Sequence, residues 1–270
     1  MQSKFIDWRA DVHAEEDRLS LTYPLNSSHY PQLDVLTRSR MKMLRKLFAQ
    51  MSAPVTPAKR YYAAPRYKLP GGGAEEPGLF GPAAGEPSQT SSASGLSAHP
   101  AVKELLGRLR ETQPQSQSFA DSGPLEELGG AALDSPELYV LSRSGATGGL
   151  ELLYFHPHGD CLQSLGPIEE ERSSALFDPS VAPAPLEGAM FIAANLRRTL
   201  QLFGERGYRL SLLEGGRLTE RLAACAPGTG CRLQPLLGFY DNRVHELLGL
   251  DGHYEVVLSC LMMHKEAESR

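Results

Sequence analysis

Residues 156–160, His156-Pro157-His158-Gly159-Asp160, place two imidazoles and a carboxylate within five positions, and those are common ligands of zinc and related metals. Spacing supplies no third and fourth ligand, and a proline between the histidines suits a turn, so the segment reads as a turn and no metal is assigned. The four cysteines, Cys161, Cys225, Cys231 and Cys260, form no CxxC pair and read as free thiols rather than a zinc ribbon or a disulfide framework. Gly71-Gly72-Gly73 and Pro227-Gly228-Thr229-Gly230 are not phosphate loops, because neither leads into Lys-Ser/Thr between a strand and a helix. No Gly-x-Ser-x-Gly string occurs, so a serine hydrolase has no support. The remaining chemically suggestive group is basic. Arg38, Arg40, Lys42, Arg45 and Lys46 alternate with Met41, Met43, Leu44, Leu47 and Phe48, as on an amphipathic helix, which serves as a solvated face or as a surface for a partner or acidic ligand.

The elements that must position such groups follow from composition. The 270 residues are 41% hydrophobic and 22% charged, enough for one good core with an extension. A formal charge of −5 and a pI near 5.9 leave no overall electrostatic footprint for nucleic acid. No run approaches the length of a membrane span, and Asp7, Asp11, Glu15, Glu16 and Asp17 stand where a signal peptide needs apolar residues, so the expected location is the cytoplasm and not a membrane.

Three regions are expected. Residues 1–70 hold a helix over 33–51 and a proline-punctuated extended arm. Residues 71–99 are Gly, Pro, Ser and Ala-rich and read as a disordered linker. A folded domain occupies 100–264, opening with a helix on Val102, Leu105, Leu106 and Leu109. Strands are expected over 137–142 and 149–155, joined as a hairpin, then over 189–195, 232–237 and 255–261, with helices over 196–203, 208–224 and 242–248. The order is α+β, without regular βαβ alternation.

Within this framework five strings become specific. Phe203-Gly204-Glu205-Arg206-Gly207-Tyr208-Arg209 is followed by Leu213-Glu214-Gly215-Gly216; downstream come Pro235-Leu236-Leu237-Gly238-Phe239-Tyr240-Asp241 and Leu247-Leu248-Gly249-Leu250-Asp251-Gly252. Upstream lie Lys59-Arg60-Tyr61-Tyr62-Ala63-Ala64-Pro65, with Leu69-Pro70, and Glu137-Leu138-Tyr139-Val140. In order and spacing these resemble the SagB-type dehydrogenases of the FMN-dependent nitroreductase superfamily. The resemblance runs from Lys59 onward and is strongest over 203–252.

The resemblance implies a nitroreductase-like α+β fold, a central mixed sheet flanked by helices, here shortened, that pairs as a homodimer or with a related dehydrogenase subunit. It implies FMN at the subunit interface, azoline-to-azole oxidation in peptide or natural-product tailoring, and peptide-modifying partner enzymes. In the family the turn at Gly238 approaches the flavin ring, so Leu237 and Gly238 are the implied ring contacts; glycine permits close backbone approach.

Other family features are altered. The arginine motif that holds the FMN phosphate falls on 113–119, where no arginine stands; Arg108 and Arg110 upstream are the substitutes, or simply exposed helix residues. The stretch that lines the flavin shrinks to 129–136. The proton-transferring Lys-Tyr pair falls on Leu202 and Phe203, and the family histidine on Arg217, so no catalytic residue is assigned. Two functions follow, an FMN oxidoreductase using noncanonical ligands or a flavin-free scaffold paired with an active dehydrogenase or a cyclodehydratase. The losses at the site favour the scaffold. A redox-unrelated peptide- or small-molecule-binding domain using the basic helix is the third.

Overall fold

The computed structural model describes residues 59, 61, 64–69, 96–112, 136–155, 161–181, 185–203 and 205–266. The expected helix over 33–51, the linker up to residue 95, the segment 113–135 and the turn 156–160 lie outside the described residues.

Seven strands form one sheet: β1 (Arg66–Lys68), β2 (Pro136–Arg143), β3 (Leu150–Phe155), β4 (Cys161–Ile168), β5 (Gly188–Asn195), β6 (Cys231–Leu236) and β7 (Glu255–Lys265). Their spatial order is β1-β4-β3-β2-β5-β7-β6. All pairings are antiparallel, so the α+β reading holds while the expected mixed sheet is corrected to an antiparallel one. The reason lies in the connections. β2 and β3 join through six residues, with Gly148 at φ 72°, and β6 reaches β7 through a single eight-residue helix and its flanking turns.

β2 and β5 are central and buried along nearly their whole length, and successive side chains enter opposite layers, as a two-residue period requires. On one face Leu138, Val140, Met190 and Ile192 meet helices α1 (Pro100–Glu111) and α4 (Arg206–Cys225). On the other, Tyr139, Leu141, Ala189 and Phe191 meet α5 (Asp241–Leu248) and the segment bearing Leu176, Phe177 and Leu186. Two further helices complete the framework, α2 (Glu170–Ser174) and α3 (Leu196–Phe203). Pro100 opens α1, where its missing N–H has no intrahelical partner to lose, and Val102, Leu105, Leu106 and Leu109 are its buried face.

Two elements differ from the sequence reading. Residues 96–98 form a 3₁₀ turn and His99 is buried, so order begins before residue 100. β4 was not expected, and it contains Gly166-Pro167. The strand tolerates Pro167 because β1 pairs only with residues 161–163, leaving the proline on a free edge where no N–H is required.

Candidate functional site

The string 235–241 closes β6 and enters α5. Gly238 O accepts from Asp178 N at 2.9 Å, Tyr240 N donates to Leu176 O at 2.8 Å, and Phe239 bridges to Phe177, so the turn is held to the 176–181 segment by backbone bonds. A Cβ on Gly238 would lie 2.6 Å from Val181 Cγ2; the glycine makes room for Val181. Leu237 stands 93% exposed beside it.

The string 203–216 forms the α3–α4 junction. A Cβ on Gly207 would meet the Thr199 carbonyl at 2.4 Å, so glycine allows the two helices to touch backbone to backbone. Thr199 Oγ1 and Ser211 Oγ bond at 2.8 Å across the same contact. Gly215 faces Leu258 of β7, and Glu214 is buried beside it on α4, while Arg217 is exposed. Positions 202 and 203 are the last two of α3.

Arg108 lies elsewhere. Its Nη1 donates to Pro227 O at 2.5 Å, its Nη2 to Gly228 O at 3.2 Å and its Nε to Glu104 at 3.2 Å. The guanidinium ties α1 to the turn between α4 and β6. Arg110, two residues on, is half-buried on the same helix.

Two polar groupings escaped the sequence reading. His99, fully buried, donates from Nε2 to Glu151 Oε2 at 2.9 Å, and its Nδ1 lies 3.1 Å from Ser142 Oγ. Ser164 Oγ also donates to Glu151. The His99 bond, opposed by burial and aided by Ser164, holds the Glu151 carboxyl below the usual range. A serine, a histidine and a carboxylate in line resemble a nucleophile relay, but Ser142 is buried on the sheet and substrate has no access to its hydroxyl. The partners are 43 and 52 residues apart, so no local motif announces them. The second grouping lies on the opposite face: Tyr61 from the arm bonds Tyr139 OH at 3.0 Å and packs edge-on against Tyr154, and Lys59 bridges to Glu255 at 2.9 Å. Burial pushes the Tyr139 phenol up, so it stays protonated. Among the described residues no cluster of His, Cys, Asp and Glu could hold a metal ion. None of the described helices is long and apolar enough to cross a membrane.

Over 91% of this chain the structure aligns with a crystal structure of a candidate nitroreductase from Anabaena variabilis, at TM-score 0.60 and 18% identity, covering 46% of that chain. The fold is nitroreductase-like. In sequence, 75 residues are 33% identical to a candidate nitroreductase of Methanocaldococcus jannaschii, 28% of this chain and 37% of that protein. The E. coli microcin synthetase McbBCD complex with truncated pro-MccB17 aligns over 62% of this chain and 64% of its own, at TM-score 0.49 and 17% identity. No family model matches the chain. The chain thus spans less than half the length of the Anabaena protein, and the matched stretch little more than a third of the Methanocaldococcus one.

FMN, which the resemblance implies for a nitroreductase-like fold, needs cations at its phosphate and open backbone at its ring. Among the described residues these do not come together in one chain. Arg108 is clamped before the start of β6 and Gly238 lies beyond its end. The six residues of β6, at roughly 3.3 Å each, separate them by about 20 Å along the strand. The space on the Cβ side of Gly238 is filled by Val181. Arg108 and Gly238 of one chain therefore do not form a single FMN site between them.

Proposed function

We propose that this chain is a flavin-free pairing subunit of a nitroreductase-type oxidoreductase assembly. It retains the nitroreductase-like fold, and a related dehydrogenase subunit carries the FMN and the redox chemistry. On the SagB-type resemblance, the assembly oxidises azolines to thiazoles or oxazoles in peptide or natural-product tailoring, alongside a cyclodehydratase. The observation that carries the reading is the engagement of Arg108. Each of its three guanidinium nitrogens already has an acceptor within the chain, which leaves a phosphate only one N–H on Nη1 and one on Nη2 unless the α1 staple opens.

A second reading, in which the chain is itself an FMN-dependent oxidoreductase, is favoured by the exposure of Leu237 beside Gly238 at the turn the family uses for the ring. Arg110 would then reach phosphate across a subunit interface. Flavin content separates the two. The protein is purified from riboflavin-fed cells, alone and co-expressed with a homologous active dehydrogenase, then denatured, and released FMN is counted per chain. The pairing reading expects no FMN alone and co-purification with a flavin-loaded partner. Stoichiometric FMN in the chain alone overturns it in favour of the enzyme.

A further inference from the structure

β7 carries a bulge that is held from both faces of the sheet. Ile192 of β5 pairs with Ser259 and Ala193 with Val257, so Leu258 is an extra residue without a partner in the ladder. On the α4 face Leu258 packs so closely on Gly215 that a Cβ there would lie 2.8 Å from its Cδ1, and Ser259 Oγ bonds Thr219 Oγ1 at 3.0 Å. On the α5 face the Val257 N–H donates to His245 Nε2 at 3.1 Å. Val257 is buried, so its N–H needs an acceptor within the protein, and a side chain of α5 supplies it.

That bond fixes the state of the ring. An imidazole nitrogen accepts only when it carries no proton, so the ring is neutral here with its hydrogen on Nδ1. Acid turns Nε2 into a donor facing a donor. The ring also sits against Gly252, where a Cβ would lie 2.9 Å from Nδ1, and His245 O accepts from Leu250 N at 2.9 Å, so one residue closes the connection from α5 to β7. Charged groups surround it on every side. Asp241 and Glu246 are exposed on α5, as is His253 on the turn; Asp251 takes the amides of 253–255 and Glu255 pairs with Lys59 of the arm. Arg197 of α3 lies over the Tyr254 ring at 4.2 Å, and Glu137 of β2 stands two strands away in the row Glu137–Ala193–Val257. Among the described residues none of these forms an ion pair with His245, so no carboxylate is in place to hold an imidazolium. The negative end of the α5 dipole favours a cation, but solvent screens that effect at a helix end, whereas a buried N–H without an acceptor forfeits its full desolvation; the second is the larger.

We infer that His245 is an acid-sensitive latch, whose protonation releases the Val257 amide and loosens the connection 249–257 from α5. Gly249 O and Glu255, which hold Lys59, lie in that connection, so the anchor of the arm loosens with it. The stabilisation is complete where the imidazole is neutral and is lost as pH falls. It goes beyond the pairing role and does not depend on flavin.

Amide hydrogen exchange on the full chain tests it, with each rate divided by its intrinsic value at that pH. Protection of Val257 and of 252–255 should fall at least about tenfold between about pH 8 and pH 5, the span in which histidine changes charge, while β2 and β5 keep theirs. His245→Gln places a non-titrating amide oxygen where Nε2 stands and should hold Val257 protection level across the range. His245→Leu should lose it at every pH, and His253→Gln should respond as the native protein does. The native ring gives a readout that needs no variant: imidazole nitrogen NMR at about pH 8 should show the Nδ1–H tautomer. An Nε2–H tautomer, level Val257 protection in the native protein, or a fall that His245→Gln retains overturns the inference. Protection kept by His245→Leu overturns it as well, and a response abolished by His253→Gln overturns it in favour of that histidine.

Discussion

Replacing Arg108 by alanine separates the structural from the cofactor role of the residue that the sequence offers as a phosphate ligand. The side chain is 38% exposed, so its bonds to Pro227 O and Gly228 O count for less than buried charge-assisted ones, which are worth about 1.5–3 kcal/mol each. The exposed pair with Glu104, one helical turn away, adds only about 0.3–0.5 kcal/mol. We expect a loss of about 2–3.5 kcal/mol in all, after halving the carbonyl bonds for solvent. At about 2–4 °C per kcal/mol for a chain of this size, the midpoint should fall by about 4–14 °C. Urea unfolding followed by circular dichroism gives the free energy, and amide exchange at 228–230 should quicken, because the turn loses the Arg108 bonds to Pro227 O and Gly228 O and keeps only those of Gly228 N to Glu266 and Thr229 Oγ1 to Ala226 O. Arg108→Lys should recover less than half of the loss, since an ammonium cannot fork to two carbonyls. An unchanged midpoint together with loss of bound FMN would refute the reasoning, for it would mean that the guanidinium holds a phosphate and not the α4–β6 turn.

Gly207→Ala should destabilise by about 3 kcal/mol or more, since its Cβ meets the Thr199 backbone, whereas Gly216→Ala, with open space around it in the middle of α4, should be neutral or stabilise by up to about 1 kcal/mol; thermal melts of the pair compare them. The folded-state carboxyl of Glu151 lies below its unfolded value, so it contributes stability that is complete above the unfolded pKa, near 4.5, and is lost as pH falls through the lower folded value. The stability gap between native protein and Glu151→Gln, measured by urea melts from pH 6 to pH 3, should therefore narrow with acid; a constant gap would show the carboxylate makes no favourable folded-state bond. Burial pushes the Cys260 thiol up to about 12, so it should resist iodoacetamide at pH 8 in the native protein and label only after unfolding, with the partly exposed Cys161 reacting first.

How much was legible depended on the range over which the information acts. The α1 helix was readable because Val102, Leu105, Leu106 and Leu109 carry its periodicity locally, and β2 with β3 because a glycine-rich turn separates two apolar runs of strand length. β4 was not, since the signal that overrides Gly166-Pro167 is the pairing partner, not the strand itself. The same limit applied at the candidate site. Arg108 and Gly238 could be picked out by residue type, but not the distance between them. The carbonyls that occupy Arg108 lie 119 and 120 residues away, and the valine that explains Gly238 sits in a different loop.

The strings that carry the family resemblance turn out to be those the architecture itself requires. Gly207 is needed where α3 and α4 touch, and Gly238 where Val181 packs. In 247–252, Leu247, Leu248 and Leu250 are buried, and Gly249 ends α5 at φ 64°, a left-handed conformation that L side chains resist. One Asp251 oxygen accepts from the amides of His253, Tyr254 and Glu255 and so turns the chain into β7. Each of these residues is explained without a ligand. By contrast, the positions that the resemblance aligns with flavin-holding or proton-transferring residues, 113–119, Leu202 and Phe203, carry no arginine, lysine or tyrosine. A motif can therefore be strong evidence for a fold and weak evidence for its chemistry. What this chain retains is what packing demands, and a subunit kept for its shape would retain the same set.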